Sequence, residues 1–314
     1  MKPNGKVAFV FPGQGSQYVG MGKELEAQFA VAKNVFSEAD EILGFSLSQV
    51  CFTGPDSDLK LTENTQPAIL TVSVAALRVL ESEIGLRPDF VAGHSLGEYS
   101  ALVCTGALSF QEALKVVHQR GRLMQEAVPA GTGSMAVILG LEAEVVRSLC
   151  EAASNGEVVA PANYNGGGQI VIAGSKVAVA RAMAIAKERG AKRVLDLPVS
   201  APFHCPLMRP AAQGLEKVLH GVTVRPFSIG VVTNVDADVN FDSSRVKSLL
   251  IEQAVRPVRW EESVRKLESL GCIRAWEIGP GKVLRGLISR ISPALHTNCF
   301  EAPDDLAKLA KELT

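Results

Sequence analysis

The chain has almost no excess of charge of either sign. Its 314 residues include 32 Lys and Arg against 33 Asp and Glu, which gives a formal net charge of -1. This balance provides no overall attraction to phosphate backbones or to anionic lipid, so we expect neither nucleic acid nor a membrane surface as a partner. An acidic partner would have to meet a local basic patch.

Paired cysteines and long apolar runs are also missing. The six cysteines form no CxxC pair and no metal-like spacing, in a chain too large to need disulfide bonds, which indicates a reducing compartment. No apolar stretch approaches the length that crosses a membrane, and the first one is too short for a signal peptide. We therefore predict a cytoplasmic globular protein, whose 47% apolar residues can form a substantial core in about two domains.

The glycine-rich segment PGQGSQ is not a nucleotide-binding loop. It follows a strand-like run at 6–11, but Tyr18 stands where a dinucleotide fingerprint needs glycine, and no GxxxxGK[ST] occurs around Lys23. The loop still offers closely spaced backbone N–H groups that could face an anion. A plain glycine turn is the alternative.

Residues 132–197 alternate between strand-like and helix-like patterns in the order βαββαβ, which is the split βαβ or ferredoxin-like arrangement. Strand–helix alternation precedes this segment and resumes after it. We therefore predict a small ferredoxin-like subdomain over 131–197, inserted into a discontinuous α/β core formed by 1–130 and 198–314.

Ser95 is the candidate nucleophile. The apolar run at 89–94 predicts a buried strand, and a helix-like segment follows, so Ser95 stands where the chain must reverse. Gly93 and Gly97 give the GxSxG spacing, because a sharp turn that pushes a hydroxyl outward needs small neighbours. The N–H of Leu96 would then point toward a developing oxyanion. A serine that merely caps the helix is the alternative.

His204 is the candidate base among five histidines. Pro202 and Pro206 hold it in a restrained loop, and rigid presentation is what a catalytic base requires. No acidic residue lies near it in sequence, so spacing does not identify the group that orients it. Of the other four, His94 is predicted to point back toward the sheet and His118 to lie within a helix. His220 is predicted to end a helix, and His296 to lie in a late surface loop.

Arg120 lies on the apolar side of a predicted helix that Ser109 and Glu112 begin as a capping box. A buried guanidinium is costly without a partner, so Arg120 requires either an internal acid or a carboxylate on the substrate. Guanidinium binds a carboxylate as a two-pronged fork. The residues that share its stripe are Ala113, Val116, Val117, Met124 and Ala127.

With these residues in hand, the chain resembles the malonyl-CoA:acyl carrier protein transacylases of type II fatty acid synthesis. The blocks that carry the resemblance appear in family order along nearly the whole chain: FPGQGSQYVGMG, TENTQPAI, GHSLGEYSAL, RGRLMQ, GQIVIAG, VSAPFHCPLM, VRPVRW and EIGPGKVL. The resemblance implies an α/β-hydrolase-like core with an inserted ferredoxin-like subdomain. It implies no metal and no nicotinamide cofactor.

The resemblance also implies roles for the reacting groups. Ser95 would carry the malonyl group as an ester, and His204 would act as the base. The N–H groups of Gln14 and Leu96 would form the oxyanion hole. The family orients its histidine with a main-chain carbonyl, which matches Gln253 here.

Substrate recognition is implied in the same way. Arg120 would pair with the free malonyl carboxylate, and Met124 would line the same substrate site. Phe203 resembles the malonyl-selective form of the wider acyltransferase family, whose branched-acyl forms usually carry serine there. The expected partners are malonyl-CoA and the phosphopantetheine thiol of holo acyl carrier protein, which exchange the acyl group by a ping-pong route.

Two basic segments are candidate docking sites for a carrier protein, which is typically acidic; ordinary solvated charge is the alternative reading. Their residues are Lys187, Arg189, Lys192 and Arg193 in the first, and Lys282, Arg285 and Arg290 in the second. Three other functions stay open. A trans-acting malonyltransferase of polyketide synthesis and the acyltransferase of malonate decarboxylase share this chemistry. A serine esterase would instead hydrolyse small acyl esters without a carrier protein.

Overall fold

The computed structural model describes residues 5–199 and 201–313 of a mixed α/β protein. Residues 1–4, 200 and 314, which fall within the predicted core ranges, lie outside the described residues. The described strands are β1 Lys6–Phe11, β2 Phe90–Gly93, β3 Gly133–Leu139, β4 Val159–Tyr164, β5 Gln169–Ser175, β6 Arg193–Asp196, β7 Gly230–Val232, β8 Val239–Asn240, β9 Cys272–Ile278 and β10 His296–Phe300.

Helices connect these strands and cover them. They are α1 Lys23–Gln28, α2 Ala30–Leu43, α3 Leu47–Thr53, α4 Asp56–Leu59, α5 Thr62–Glu83, α6 Gly97–Cys104, α7 Phe110–Glu126, α8 Ala143–Ser154, α9 Lys176–Glu188, α10 Arg209–His220, α11 Val246–Val255, α12 Trp260–Ser269, α13 Val283–Ile291 and α14 Asp304–Leu313. None of the helices in the described part of the chain is long and apolar enough to span a membrane.

A six-stranded sheet forms the larger half of the molecule, in the order β10-β9-β1-β2-β7-β8. Its strands pair in parallel except for β8, which runs antiparallel to β7. Side chains at 7, 9 and 11 of β1 enter one hydrophobic cluster, and those at 8 and 10 enter another. Both faces of the sheet are therefore covered, which explains why β1 reads as an unbroken apolar run.

The second sheet contains four antiparallel strands in the order β4-β5-β3-β6. The elements predicted over 132–197 are present in the predicted order, and Ser175 caps α9 by accepting a hydrogen bond from the N–H of Ala178. One face of the sheet packs against α8 and α9. The other face carries Met135, Val137 and Val171 toward the loop that contains His204.

Three predictions from the sequence were wrong. The segment YVGMGKELEAQF has a helical pattern that predicts a helix from Tyr18, but the helix begins only at Lys23, because Gly20 and Gly22 have φ values of 106° and 77° that no α-helix contains. The apolar run FSIGVVTNV predicts a strand over 227–235, but the strand found there, β7, covers only Gly230–Val232. His296 was predicted to lie in a loop, but it is the exposed first residue of β10, paired with β9.

Candidate active site

Ser95 lies between β2 and α6 with φ 53°, in the left-handed region that side chains rarely adopt. Both flanking positions must be glycine, because nearby main-chain atoms leave no room for a Cβ. A Cβ on Gly93 would lie 1.9 Å from the carbonyl carbon of Gly97, and one on Gly97 would lie 2.0 Å from the carbonyl oxygen of Phe11. The turn therefore holds the hydroxyl outward in a strained conformation, as the GxSxG spacing predicts.

His204 lies beside this hydroxyl, 4% exposed and also left-handed, with φ 59°. Its Nε2 lies 2.7 Å from Ser95 Oγ, and its Nδ1 donates to the main-chain oxygen of Gln253 at 2.8 Å. Burial, together with the nearby charge of Arg120, lowers the pKa of His204 to about 3. The ring is therefore neutral near pH 7, with Nε2 free to accept the serine proton.

Arg120 is 1% exposed and donates to three oxygens at the site. Its Nη1 lies 2.8 Å from Gln66 Oε1, and its Nη2 lies 3.0 Å from Gln253 Oε1 and 3.1 Å from Ser95 Oγ. Its Nε has no hydrogen-bond partner among the described residues. Burial lowers its pKa.

An internal salt bridge does not explain the position of Arg120. Within the described residues, no carboxylate oxygen forms an ion pair within 4 Å of its guanidinium. The ring of Tyr99 lies 5.4 Å away, and the buried Glu98 acts on the charge only from a distance. The guanidinium is thus held by the neutral side chains of Gln66, Gln253 and Ser95, and its Nε is unused among the described residues.

Sequence reasoning missed Asn234, Glu98 and the side-chain role of Gln253, all of which support the turn. Asn234 Oδ1 accepts from the N–H of Ser95 at 2.7 Å, and its Nδ2 donates to the oxygen of Gly93 at 2.6 Å. Gln253 Nε2 donates to the oxygen of Ser95 at 3.1 Å and to Glu98 Oε2 at 2.7 Å. A polar residue in an otherwise apolar segment was the available signal, as for Glu98 in GEYSALV and for Asn234 in VVTNV.

The loop after β1 and the start of α6 bring together the backbone groups predicted to face an anion. A Cβ on Gly13 would lie 2.3 Å from the oxygen of His94, so the loop packs directly on the nucleophile turn. Gln14 follows in the loop and lines the same cavity as Ser95. In the described part of the chain, the N–H groups of Gln14 and Leu96 donate no hydrogen bond, so both are available.

A cavity of about 260 Å³ opens above Ser95, between the two sheets. Met124 and Phe203 line it as predicted, and Met124 Sδ also lies 3.8 Å from Gln66 Nε2. His94 was predicted to point back toward the sheet, but its Nε2 lies 2.9 Å from Asn165 Oδ1 at the cavity wall. The apolar lining residues are Met135, Val137, Val171, Leu197, Val199, Val283, Leu284 and Leu287.

The basic residues predicted to dock a partner are exposed on two separate segments. Lys192 and Arg193 lie at the start of β6. Lys282 and Arg285 flank the first turn of α13, whose apolar side lines the cavity, and Lys282 Nζ lies 3.5 Å from Glu301 Oε1. Among the described residues, no group of three or more His, Cys, Asp or Glu side chains is arranged to hold a metal ion.

Comparison with known proteins gives the family of this site. The family model described as acyl transferase domain matches residues 8–280. The malonyl CoA-acyl carrier protein transacylase of Bacillus subtilis is 49% identical over 302 residues, which cover 96% of this chain and 95% of that protein. The enzyme of the same name from Escherichia coli K12 is 46% identical over 300 residues, covering 96% and 97%.

Solved structures agree. An acyl carrier protein S-malonyltransferase from Vibrio cholerae superposes with a TM-score of 0.95 at 50% identity, over 97% of this chain and 99% of that one. A malonyl-transacylase in complex with its type II PKS acyl-carrier protein gives a TM-score of 0.95 at 44% identity, over 98% and 99%. The chain therefore belongs to the acyl transferase family, and within it to the malonyl CoA-acyl carrier protein transacylases.

Proposed function

We propose that this protein transfers a malonyl group from malonyl-CoA to the phosphopantetheine thiol of an acyl carrier protein, through an ester on Ser95. The observation that carries the proposal is the placement of Arg120 Nη2 3.1 Å from the Oγ that His204 contacts. A cation beside the nucleophile suits an acyl group that ends in a free carboxylate.

In the first half-reaction, Ser95 Oγ attacks the thioester carbonyl while His204 Nε2 takes the hydroxyl proton. The N–H groups of Gln14 and Leu96 stabilise the oxyanion of the tetrahedral intermediate. The C–S bond then breaks, and His204 returns the proton to the departing coenzyme A thiol. The Gln253 carbonyl keeps Nδ1–H directed away from the reaction and stabilises the charged ring.

The second half-reaction reverses these steps with another thiol. The carrier protein's phosphopantetheine thiol gives its proton to His204 and attacks the ester carbonyl. The ester C–O bond breaks, and His204 returns the proton to Ser95 Oγ. Since the acyl group arrives as an activated thioester and the protein supplies the acid and base, the proposed reaction needs no metal or other cofactor.

Arg120 selects the acyl group by pairing with the malonyl carboxylate. The carboxylate would replace Ser95 Oγ as the acceptor for Nη2 and could reach the unused Nε. Met124 and Phe203 limit the space around the methylene carbon, so malonyl fits better than a branched acyl group.

The architecture supports the same proposal. We assign 1–130 and 198–314 to an α/β-hydrolase-like core and 131–197 to a ferredoxin-like subdomain, because the antiparallel order β4-β5-β3-β6 suits a βαββαβ unit. The cavity lies where the two meet. Lys192, Arg193, Lys282 and Arg285 are the proposed carrier-docking residues. Cytoplasmic location stays a prediction.

A role in polyketide synthesis is the second candidate. The relative solved with a type II PKS acyl-carrier protein supports it, because that protein is 44% identical and shares the fold over almost its whole length. The chemistry at Ser95 would be identical, so only the carrier protein differs. Comparing transfer rates to a fatty acid carrier and to a polyketide carrier separates the two.

The decisive experiment uses labelled malonyl-CoA. The protein is incubated with it, denatured and digested, and mass spectrometry locates the label with and without holo carrier protein. We expect one malonyl group on Ser95 that the carrier removes, and no label on a folded Ser95→Ala variant. A label retained by that variant would place the nucleophile elsewhere, and release of free malonate without carrier would favour an esterase.

A further inference from the structure

Glu98 is a buried acid that the proposed reaction does not use. It lies in the first turn of α6 and is 2% exposed. Burial raises its pKa to about 7, although Gln253, Asn234 and the charge of Arg120 all act to lower it. A carboxyl group in such a place is costly, which indicates that its contacts serve the site.

Its contacts lead to the two supports of the nucleophile turn. Glu98 Oε2 accepts from Gln253 Nε2 at 2.7 Å and from the N–H of Asn234 at 3.1 Å. Neither bond reaches the cavity, and Glu98 is not among the residues that line it. Any effect of Glu98 on the reaction must therefore act through another side chain.

The Gln253 amide has two ends that must not be exchanged. Its Nε2 faces three acceptors, which are Glu98 Oε2, the main-chain oxygen of Ser95 and, at 3.5 Å, Asn234 Oδ1. Its Oε1 accepts from Arg120 Nη2. Glu98 Oε2 is the acceptor in both of its bonds, so it requires the NH₂ end of the amide on its side. If the amide turned over, its NH₂ group would face the guanidinium, and the donor hydrogens would repel.

We propose that Glu98 is a positioning residue for acyl selection: its buried carboxyl group holds the Gln253 amide in one orientation, and the amide oxygen in turn holds Arg120 at the malonyl carboxylate. This inference rests on the proposed function. Glu98 itself touches neither the substrate nor the reacting atoms. Removing its carboxyl group should therefore lower kcat/KM more for malonyl-CoA, whose carboxylate pairs with Arg120, than for acetyl-CoA, which has no carboxylate.

The test measures kcat/KM for malonyl-CoA and for acetyl-CoA with the intact protein and a holo carrier. Glu98→Met fills the space without an acceptor, and we expect the malonyl-to-acetyl ratio to fall about tenfold, as for the loss of one buried hydrogen bond near a charge. Glu98→Gln keeps an acceptor oxygen in the same shape and should restore the ratio to within about twofold of the wild type. Melting temperatures are measured in parallel.

A double-mutant cycle tests whether Glu98 acts on acyl selection through the Gln253 amide. Gln253→Ala removes the amide but keeps the main-chain oxygen that orients His204, so it should lower the ratio as Glu98→Met does. Adding Glu98→Met to Gln253→Ala should change the ratio no further. If Glu98→Met does not fold, an unchanged ratio in Gln253→Ala alone overturns the proposal.

Other outcomes are equally clear. If kcat/KM falls in parallel for both substrates and the melting temperature is lowered, Glu98 has a purely structural role. An effect of Glu98→Met that persists without the Gln253 amide rejects the proposed route. If the wild type transfers no malonyl group at all, the proposed function fails as well; if it does and the variants keep its ratio, only the role of Glu98 fails.

Discussion

The surroundings of Ser95 and the interior of the four-stranded sheet bury their residues in opposite ways. The sheet covers α8 and α9 with Ala, Val, Ile and Leu side chains, and α9 begins at an ordinary serine cap. Around Ser95 several buried side chains are polar or charged, among them Arg120, Glu98 and Gln253, and two residues have left-handed backbones. The small sheet is built for packing, whereas the surroundings of Ser95 hold the proposed reacting groups in a strained geometry at the expense of packing.

The two regions also differ in how far their contacts reach along the chain. The bonds that hold Ser95 connect it to residues 109, 139 and 158 positions away. In the small sheet only β4 and β5 are consecutive strands that pair, but paired residues lie at most 60 positions apart, as Ala136 and Asp196 do. A change near Ser95 should therefore alter chemistry, whereas a change in the small core should alter stability.

The largest expected effect comes from Arg120→Ala. Loss of the charged fork should cost about 2–5 kcal/mol of transition-state stabilisation for malonyl-CoA. Transfer from acetyl-CoA should hold steady or rise, because acetyl has no carboxylate to lose. The measurement is kcat/KM for both substrates together with the melting temperature.

Arg122→Ala is the matched control, because Arg122 lies on the same helix, exposed, with only long contacts to Glu63 and Glu126. It should change neither rate by more than about twofold. If Arg120→Ala lowers both acyl-transfer rates and the melting temperature together, Arg120 supports the fold and does not bind the malonyl carboxylate.

A substitution in the small sheet should have an effect of comparable energy on stability and none on acyl selection. Ile172 is fully buried against α8 and α9, so Ile172→Ala should lower the free energy of unfolding by about 2–5 kcal/mol. The malonyl-to-acetyl ratio should stay at the wild-type value. Denaturant unfolding and the two transfer rates check this.

Val177 is the control for that substitution, since it is 57% exposed at the start of the adjacent helix. Val177→Ala should change the free energy of unfolding by about 0.5 kcal/mol or less. A shifted acyl preference in Ile172→Ala would show that the two regions are not separable.

The smallest effect concerns the proposed carrier-docking residues. Reversing Lys192 and Arg193 to glutamate should raise the KM for holo carrier protein several-fold, roughly tenfold at low salt, and leave the KM for malonyl-CoA nearly unchanged. Lys33→Glu combined with Lys115→Glu makes the same change of charge at exposed positions on α2 and α7, away from the cavity. Equal effects of both double variants, or equal effects on both substrates, would count against docking at this site.

Local signals were sufficient to predict much of this molecule. The alternation over 132–197 predicted each element of the small sheet, and Ser109 with Glu112 marked the start of α7. The glycine spacing around Ser95 predicted its turn, because the constraint is steric and lies within five residues. The prolines around His204 singled out one histidine of five.

Contacts between distant segments were less predictable. The resemblance suggested the main-chain oxygen of Gln253, but nothing in the sequence pattern joined its side chain to Glu98 and Arg120. The pattern FSIGVVTNV places Asn234 in a long strand, although β7 ends before it and its side chain accepts a hydrogen bond from the N–H of Ser95. Such bonds depend on how strands and loops assemble, which residue spacing does not record.

The close approach of three glycines at the nucleophile turn divides the site into a fixed part and a variable part. A Cβ on Gly13, Gly93 or Gly97 would lie within 2.3 Å of a main-chain atom, so no side chain can be accommodated there by a rotamer change. The cavity wall has no such restriction, because it is formed by the side chains of residues such as Met124, Val137 and Val171. In a library randomised over the whole site, active variants should keep all three glycines and differ at the wall, so new acyl specificities would arise without redesign of the catalytic backbone.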